Sequence, residues 1–343
     1  MNYLIFRSDR IGDFLIISSL IKSIKNSSKN SKIFIVASEK NAYFIKQLSI
    51  VDEVLVLNRN SFVSKIKVLL NLKKYKFEAV IVSDKKNSSI IISLFLTAKI
   101  KIFNVSKTFQ KNILRLFYKK VFLDNDNIGQ RNEDILKVNA HTLQINFKNT
   151  DFNFFYQNQF KNEYLHTNHI DLNKLNFFLV HYDEKWEIEK YKEVYNKSSN
   201  FTDMEVDYRE FIKSFGNISG QISKTLIITT GVIKTNFIEE LKQNSTKVND
   251  SIYQFDVNGL KAYLIVNENF FSMIHLISKS KLFISCHGAF THIAFNYNIK
   301  IIDIIEKNKI NHYKKITGHM TNHFFVFRQI FNKLSSEILL KLK

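Results

Sequence analysis

Short apolar runs alternate with amphipathic stretches along the first half of the chain. Runs rich in β-branched and aromatic residues predict buried strands at residues 3–6, 32–37, 51–57, 77–83 and 99–105. Between these runs apolar residues recur with a helical period, most clearly over residues 12–24. Strands that alternate with helices form parallel sheets covered on both faces, so the pattern predicts an α/β, doubly wound first domain.

The second half of the chain repeats the same alternation. Buried strands are predicted at residues 177–181, 225–230, 262–266, 282–285 and 300–305. Helical patterns separate them, notably over residues 270–278 and 289–297. A further apolar stripe over residues 330–342 predicts an amphipathic helix at the C-terminus.

This pattern divides the chain into an N-terminal Rossmann-like domain at 1–150 and a C-terminal Rossmann-like domain at 175–320. Residues 151–174 are rich in polar and aromatic side chains without a clear period, which is typical of a linker. Residues 321–343 form a predicted helical tail. The predicted fold class is α/β, with two tandem doubly wound parallel sheets and a ligand cleft between the domains.

The composition is that of a globular protein. Hydrophobic residues make up 45% of the chain and charged residues 24%, which excludes a disordered, collagen-like or coiled-coil chain. The chain has no proline and only 8 glycines, so its turns must be built largely from Asn, Asp, Ser and Lys. An AT-rich genome produces the same bias.

Several features indicate where the protein is located. Cys286 is the single cysteine, which excludes a disulfide framework and fits a reducing compartment. Charged residues interrupt the apolar N-terminal stretch, as they do not in a signal peptide. The most apolar window, at 90–100, is shorter than the roughly 18 residues of a membrane span. We therefore expect a cytoplasmic protein, soluble or attached peripherally to a membrane.

The net charge of +19 arises from 50 Lys and Arg against 31 Asp and Glu. A field of this sign favours anionic partners, namely nucleic acid, anionic lipid headgroups or phosphorylated substrates. Lysine enrichment by base composition explains the excess equally well. Because the basic residues are scattered and no nucleic-acid-binding motif occurs, a nucleic-acid partner is not expected.

The first candidate site is the loop RSDRIGD, which follows the first predicted strand. Its Gly12 permits close backbone approach to a ligand, and Asp13 lies where a helix begins. The simpler interpretation is that Asp13 only stabilises the helix N-terminus. The loop has neither a Walker A pattern nor G-x-G-x-x-G, which argues against a P-loop NTPase and a dinucleotide oxidoreductase.

The second candidate is the segment SCHGAFTHIA, which follows a predicted strand and begins a helix. Gly288 and Ala289 leave helix N-terminal N–H groups open to an anion such as a diphosphate, and His287 and His292 add donors. We expect Cys286 to be an inert small residue rather than a nucleophile. The two histidines are five residues apart and do not share a helix face, which disfavours a metal site.

The third candidate follows the first strand of the second half. Lys185 provides a point charge for a phosphate, while Trp186 either stacks on a ligand or simply packs. A separate set of histidines at 312, 319 and 323 matches no zinc spacing and predicts a solvated loop.

Taken together, these motifs resemble the heptosyltransferase family, glycosyltransferase family 9. The family opens with a strand, a short loop and Gly-Asp, matched by Gly12 and Asp13. Residues 51–54 match its V-D-E-V entry to a strand, and residues 131–132 its segment before the linker. Residues 285–294 look like its motif Asp-Ser/Thr-Gly-x-x-His-x-Ala. The resemblance extends from residue 2 to about residue 305.

The resemblance implies a GT-B fold, with the acceptor on the first domain and the nucleotide-sugar on the second. It also implies that the C-terminal helical tail at 321–343 packs back on the first domain. It implies inverting glycosyl transfer without an essential metal or other cofactor. Asp13 would be the general base that takes the proton of the acceptor hydroxyl during attack. Arg7, Ser8, Arg10 and Gly12 would form the loop beside the acceptor.

The resemblance also assigns a donor site on the second domain. The residues implied to hold the nucleotide-sugar and its diphosphate are Lys185, Thr230, Gly231, His287, Gly288, Ala289 and His292. Two departures stand out. His287 occupies the position of the family's Asp, and the family's Gly-rich turn is reduced to Thr230 and Gly231. A histidine in place of a carboxylate changes the charge beside the diphosphate.

The expected function is transfer of a heptose-like sugar from a nucleotide-diphosphate-sugar to a lipopolysaccharide or other surface-glycan acceptor. ADP-heptose is one candidate donor, and the acceptor would be a lipid-linked or phosphorylated glycan. Peripheral contact with the cytoplasmic face of the inner membrane is expected, where basic residues would meet anionic headgroups. The alternatives are a non-catalytic GT-B binding protein and, less favoured, a basic nucleic-acid-binding protein.

Overall fold

The computed structural model describes residues 1–123, 132–148, 175–195 and 201–342. The predicted linker at 151–174 and Arg131 lie outside the described residues. Contacts between Cα atoms divide the chain into two compact units. Unit 1 comprises Met1–Glu163 and Asn311–His319, and unit 2 comprises Tyr164–Ile310 and Met320–Lys343.

Unit 1 contains a sheet of six parallel strands in the order β3-β2-β1-β4-β5-β6. The strands are β1 (Asn2–Phe6), β2 (Lys32–Ala37), β3 (Glu53–Val56), β4 (Phe77–Val82), β5 (Ala98–Val105) and β6 (Val121–Leu123). Central strands such as β1 are continuous apolar runs because helices bury both of their faces. The first five strands confirm the sequence prediction, whereas β6 was not predicted.

Six helices connect and cover this sheet. They are α1 (Ile11–Ser27), α2 (Glu39–Ile45), α3 (Phe62–Leu72), α4 (Asn87–Leu94), α5 (Thr108–Arg115) and α6 (Asn132–Thr142). One face of the sheet is covered by α3, α4 and α5, whose buried residues Val68, Ile90 and Leu114 join the core formed by alternate strand residues. Helix α1 instead contacts α2 and α6.

Unit 2 contains an eight-stranded sheet in the order β14-β13-β12-β7-β8-β11-β10-β9. The strands are β7 (Phe177–Tyr182), β8 (Thr225–Thr230), β9 (Thr246–Lys247), β10 (Ile252–Val257), β11 (Leu260–Ile265), β12 (Leu282–Cys286), β13 (Lys300–Ile305) and β14 (His323–Phe327). Strand β10 pairs antiparallel with both β9 and β11, and the other neighbouring strands pair parallel. The sequence prediction missed β9, β10 and β14.

The helices of unit 2 enclose an aromatic core. They are α7 (Ile188–Tyr195), α8 (Tyr208–Ile222), α9 (Asn236–Gln243), α10 (Phe270–Lys279), α11 (Ala289–Asn296) and α13 (Phe331–Leu342). Helix α12 (Ile310–Thr317) falls largely within the segment assigned to unit 1. Phe211 on α8 packs against Phe215, Phe237 and Phe331, with ring centroids 4.3, 4.5 and 5.5 Å away.

The C-terminal tail corrects the expected domain division. The predicted tail at 321–343 was expected to return to the first domain, but α13 packs on α8 of unit 2, with Leu334 and Ile338 fully buried. The segment that joins unit 1 is Asn311–His319, inside the predicted second domain. The apolar stripe of the tail predicted a buried helix face correctly, but such a stripe does not specify its partner.

The turns follow from the shortage of glycine. Eight described non-glycine residues have a positive φ, four of them asparagines, and they include Lys85 and Ser223. Asn258 and Gly259, with φ of 54° and 78°, join β10 to β11. An Asn-Gly pair with two positive φ angles is the preferred two-residue hairpin turn. Turns built without glycine were expected, and the structure confirms them.

Candidate functional site

Each sheet has one point at which the order of its strands reverses. In unit 1 this point lies between β1 and β4, and in unit 2 it lies between β7 and β12. Open parallel sheets bind ligands at such reversals, beyond the carboxyl ends of the strands. The loops after β1 and β4, and those after β7 and β12, are therefore the candidate sites.

Arg7 connects the two loops in unit 1. Its Nη1 donates a hydrogen bond to the carbonyl of Ser83 at 2.6 Å, and its Nε donates to the carbonyl of Asp13 at 3.1 Å. Its Nη2 lies 3.2 Å from Asp13 Oδ1. The Arg7 side chain is 11% exposed, so these contacts hold the start of α1 beside the end of β4.

Asp13 caps the start of α1 and remains partly exposed. Its Oδ2 accepts a hydrogen bond from the backbone N–H of Arg10 at 3.3 Å, the contact of a helix-capping carboxylate. This contact confirms the capping part of the prediction. The side chain is nevertheless 42% exposed, so the carboxylate remains accessible to a ligand. Gly12 lies beside it as the second residue of α1.

Asp84, which follows β4, was not singled out from the sequence. Its side chain is buried, and its Oδ2 accepts hydrogen bonds from the hydroxyls of Ser8 and, at 2.7 Å, Ser89. The next residue, Lys85, has a left-handed φ of 57°. Strained non-glycine residues of this kind concentrate at functional sites. The sequence did carry a signal for Asp84, namely an acidic residue directly after a predicted buried strand, but it was not used.

Asp9 and Arg59 complete the loop. Arg59 Nη2 lies 3.1 Å from Asp9 Oδ1 and 2.9 Å from the hydroxyl of Ser8, so the loop after β3 joins the same network. Burial raises the pKa of Asp9, and the positive charge of Arg7 opposes this shift only in part. Arg59 was also missed, because only the sheet order brings β3 near β1.

The loops after β1 to β5 enclose an open cavity of about 690 Å³. Its cationic lining residues are Arg7, Arg10, Lys40, Arg59, Lys85 and Lys86. Asp9, Asp13, Glu39 and Asp84 supply the negative charge. Arg7, Ser8, Arg10 and Asp13 of the first candidate loop therefore line one cavity, and Gly12 is not among its lining residues. Such a lining suits a polar ligand that carries hydroxyls and anionic groups.

In unit 2, Lys185 links the loops after β7 and β12. Its Nζ donates hydrogen bonds to the carbonyls of His287 at 2.9 Å and Cys286 at 3.4 Å, and lies 2.8 Å from Asp183 Oδ2. Burial alone would lower the pKa of Lys185, but the Asp183 carboxylate outweighs it and the pKa is raised. A protonated ammonium therefore lies at the start of α11.

Two glycines permit these loops to approach one another. A Cβ on Gly288 would lie 3.2 Å from Lys185 Nζ, tighter than ordinary contact. A Cβ on Gly231 would lie 3.0 Å from the Cβ of Asp183. Gly231 also donates its N–H to the carbonyl of Tyr182 at 3.3 Å. The loop after β8 thus joins the loops after β7 and β12.

The remaining small residues lie at the same edge of the sheet. Thr230 ends β8, and Ala289 is the first residue of α11. Within this first turn, Thr291 Oγ1 accepts the N–H of Gly288 at 3.2 Å. The structure thereby brings the predicted Lys185, Thr230–Gly231 and Gly288–Ala289 segments to the carboxyl ends of neighbouring strands.

His287 is held by a carboxylate that the sequence prediction missed. Its Nδ1 lies 2.6 Å from Asp303 Oδ2, and Nε2 of His323 lies 3.0 Å from the same oxygen. Burial alone would raise the pKa of Asp303, but the two histidines outweigh it and lower the pKa to about 2. An ionised Asp303 accepts from both imidazoles, which directs Nε2 of His287 away from the carboxylate.

The structure changes two predictions about histidines: the solvated loop at residues 312, 319 and 323, and His292 as a donor to a bound anion. The predicted solvated loop at residues 312, 319 and 323 is wrong for His323, whose side chain is 4% exposed because β14 pairs with β13. His292 is buried in α11, with its ring centroid 5.5 Å from that of His287. Across the described part of the chain, no group of three or more His, Cys, Asp or Glu has the arrangement of a metal site.

The other polar residues near β7 are structural. Trp186 is fully buried, stacks on Tyr182 at 5.1 Å and donates its Nε1–H to the carbonyl of His181 at 2.9 Å, so it packs rather than stacking on a ligand. Burial raises the pKa of the Cys286 thiol to about 12, which favours the expected inert cysteine. Burial and the positive charge of Lys185 lower the pKa of His181 to about 3.

Arg328 supports the turn that carries Lys185. Its Nη1 donates to the carbonyl of Lys185 at 2.6 Å, and its Nε lies 3.0 Å from Glu306 Oε1. Both side chains of this ion pair are buried. Arg328 follows β14, far from Lys185 along the chain, so no local pattern could have identified it.

Comparison with known proteins identifies this architecture. No model of a known protein family matches the chain, and no curated protein matches it either. Solved structures do match. The E. coli heptosyltransferase WaaC with ADP is 12% identical, with a TM-score of 0.64 over 99% of this chain and 100% of WaaC. A glycosyltransferase family 9 protein from Veillonella parvula is 10% identical, with a TM-score of 0.65 over 99% of this chain and 90% of its own.

The same fold extends to enzymes of other chemistry. The UDP-GlcNAc 2-epimerase from Methanocaldococcus jannaschii is 12% identical, with a TM-score of 0.51 over 100% of this chain and 92% of its own. At these identities the similarity establishes the fold and leaves the reaction to be argued from the site. The chain has the GT-B fold, and its resemblance to the glycosyltransferase family 9 heptosyltransferases covers its whole length.

Proposed function

We propose that the protein is an inverting, metal-independent glycosyltransferase. It would move a heptose-like sugar from a nucleotide-diphosphate-sugar to a lipopolysaccharide or other surface-glycan acceptor. In this proposal unit 1 binds the acceptor and unit 2 binds the donor. The donor class is supported by the structural relatives, since WaaC was solved with ADP and with an ADP-heptose analogue.

The observation that carries the proposal is the Asp13 carboxylate in the cavity of unit 1. It is 42% exposed, and Arg7 and the backbone of Arg10 fix its orientation at 3.2 and 3.3 Å. A carboxylate that only caps a helix does not need to be exposed to solvent. A fixed carboxylate that is open to ligand is what a general base requires.

The proposed reaction needs this base only as the new bond forms. The acceptor hydroxyl oxygen attacks the anomeric carbon and its proton passes to Asp13, while the bond from that carbon to the diphosphate oxygen breaks. A carboxylate is too weak to remove the proton beforehand, so attack and proton transfer occur together. The leaving diphosphate takes the electron pair of the broken bond.

The cluster in unit 2 suits the leaving diphosphate. The Lys185 ammonium and the N-terminus of α11 at Gly288 present positive charge where negative charge grows. His287, whose Nδ1 is held by Asp303, would present its Nε2 beside the diphosphate in place of the family's carboxylate. Thr230, Gly231 and Ala289 would line this donor site, with His292 behind His287.

The acceptor and location belong to the same proposal. A lipid-linked or phosphorylated glycan would place anionic groups among the arginines and lysines of the unit 1 cavity. Such an acceptor is made at the cytoplasmic face of the inner membrane. The protein would therefore act in the cytoplasm, in peripheral contact with that membrane.

The first test is a thermal-shift and calorimetric screen against ADP-, UDP-, GDP- and CMP-sugars and the free nucleotides. A ligand that binds only the folded state raises stability, so a donor is detectable without its acceptor. We expect one nucleotide series to stand out and Lys185→Gln to remove its shift. The matched control is Lys242→Gln, because Lys242 is 22% exposed and paired with Glu239 at 2.9 Å, much as Lys185 is 24% exposed and paired with Asp183.

Two results would contradict the proposal. If no nucleotide or nucleotide-sugar shifts the melting temperature of the folded wild-type protein, the proposal of a donor site is wrong. Donor binding without any transfer to lipopolysaccharide precursors would instead favour a non-catalytic GT-B binding protein. Loss of the thermal shift in Lys242→Gln as well would show that the lysine effect is not local to the α11 N-terminus.

A further inference from the structure

Exposed apolar side chains concentrate on one face of unit 1. The described residues include twenty large apolar side chains that are exposed, and eleven of them lie on α3, on α4 and its C-cap, and on α5 and the turn after it. They are Phe62, Val63, Ile66, Leu70, Ile91, Leu94, Phe95, Phe109, Ile113, Leu116 and Phe117. We call this set the outer face. Exposed apolar side chains that are concentrated in this way mark an interaction site.

The spacing shows that the outer face is a second apolar stripe on each helix. On α3, Phe62, Ile66 and Leu70 recur every four residues, while Val68 and Leu72 point into the core. On α5 only Leu114 is buried. The three helices cover the same face of the sheet, so their outer stripes belong to one side of unit 1.

The charge of the segments that carry the outer face indicates which kind of partner would bind it. Residues 85–123, which include α4 and α5, contain nine Lys and Arg and no Asp or Glu. Residues 54–77, which include α3, contain six Lys and Arg and again no Asp or Glu. Phenylalanines among long cationic side chains, without carboxylates, match the boundary between acyl chains and anionic headgroups.

We propose that the outer face binds the surface of an anionic lipid bilayer. The phenylalanines and aliphatic side chains would enter the headgroup region, and the lysines and Arg115 would contact lipid phosphates. No helix in the described ranges is long and apolar enough to cross a bilayer. In the described part of unit 2, the exposed apolar residues, such as Val232, Leu260 and Leu340, are scattered single side chains and form no comparable face.

This surface is independent of the transfer chemistry proposed above. Binding to vesicles is measured without donor or acceptor, whereas the nucleotide screen needs no lipid. A failed vesicle test would therefore remove only the membrane contact from the proposed function and leave the transfer reaction, whereas a failed nucleotide screen would leave the membrane surface. Both units of the full-length protein are present in each experiment.

The test is flotation of the full-length protein with vesicles of phosphatidylcholine alone or mixed in equal parts with phosphatidylglycerol. We expect binding to the anionic vesicles, weaker binding at high salt, and little binding to phosphatidylcholine alone. The triple variant Phe62→Ser, Phe109→Ser, Phe117→Ser should have a vesicle partition coefficient lower by about tenfold or more. In the wild type each of these exposed rings moves from water into the bilayer on binding, which is favourable. Its control is Val232→Ser, Leu260→Ser, Leu340→Ser, at similarly exposed positions of unit 2.

A spectroscopic readout localises the contact. Trp186 is the single tryptophan and is buried, so Phe117→Trp adds one exposed reporter. Its emission should shift to the blue with anionic vesicles and be quenched by brominated lipid. The proposal is overturned if wild-type protein does not float with anionic vesicles, or if the triple variant floats as well as wild type. If the wild-type protein does not bind vesicles, and light scattering shows that it is a dimer whereas the triple variant is a monomer, the outer face binds a second copy of the chain.

Discussion

The two strand-order reversals use charge in opposite ways. In unit 1 the carboxylate that follows β1, Asp13, is 42% exposed and its partner Arg7 reaches it from the loop itself. In unit 2 the central carboxylate, Asp303, is fully buried, and its Oδ2 contacts the rings of both His287 and His323. Lys185 lies between these extremes, at 24% exposure.

The difference shows what each edge is built to do. An open carboxylate can exchange a proton with a bound ligand, but it is only loosely held. A buried carboxylate is costly to ionise, so it persists only with its partners in place, and it fixes their orientation. The unit 1 edge is therefore suited to proton transfer, and the unit 2 edge to a preorganised positive site for an anion.

The largest effect expected from this comparison is at the open carboxylate. Asp13→Asn keeps an acceptor for the Arg10 N–H but removes the base, so we expect kcat to fall by about 10²–10⁴-fold. Donor affinity should be unchanged, because the change lies in unit 1. The measurement is steady-state transfer, with calorimetry for the donor.

Asp52→Asn is the matched control for Asp13. Asp52 is 37% exposed and pairs with Lys25 at 2.8 Å, just before β3 and therefore at the opposite edge of the same sheet. Equal losses of activity in both variants would show that Asp13 acts through the stability of unit 1 rather than as a base. Unchanged turnover in Asp13→Asn would remove the proposed mechanism.

The sequence predicted most of the sheets because buried parallel strands are continuous apolar runs. It missed β10, although the Asn258–Gly259 pair that turns this strand into β11 is a recognised hairpin signal. It also missed β14, whose short apolar run follows a polar stretch that was interpreted as a loop. The alternation of strands and helices was informative, whereas short edge strands were not.

The candidate sites were predicted in part for a related reason. Asp13, Lys185 and Gly288 each follow a predicted strand, so the local pattern is enough to place them at the carboxyl edge of a sheet. Asp303 and Arg328 act on residues that are close only because of strand pairing and chain return. The partner of a buried polar group is set by tertiary structure, and a single sequence does not reveal it.

The next effect concerns the buried carboxylate. Asp303→Asn removes charged hydrogen bonds to His287 and His323, and we expect the free energy of unfolding of unit 2 to fall by about 2–3 kcal/mol. Trp186 is the single tryptophan and lies in the core of unit 2, so its emission during urea unfolding measures this loss. Donor affinity should also fall, because His287 would no longer be oriented.

His323→Gln separates stability from orientation in the same cluster. It removes one partner of Asp303 but leaves the 2.6 Å contact to His287, so unit 2 should be destabilised while donor affinity is largely retained. If both variants lose donor affinity in proportion to their stability, Asp303 is a structural residue and not a positioning residue. The contrast between an open and a buried carboxylate would then have no functional meaning in unit 2.

The smallest effect is the response of unit 2 to acid. His181 is buried, with Nδ1 3.1 Å from the Thr229 hydroxyl, and its pKa is lowered from 6.5 to about 3 by burial and by Lys185. The unfolded chain binds this proton first, so the stability that the neutral ring supports is complete above pH 6.5 and declines as the pH falls towards 3. The slope is at most about 1.4 kcal/mol per pH unit.

His181→Asn should flatten the pH dependence of unit 2 stability between pH 6.5 and 5, even though it lowers stability at neutral pH. The readout is again Trp186 emission in urea, compared with His141→Gln at an exposed histidine of unit 1. An unaltered slope in His181→Asn would mean that another group of unit 2 takes up the proton. A flattened slope would show that His181, on β7, stays neutral in the folded protein, as expected for a buried ring close to the positive charge of Lys185.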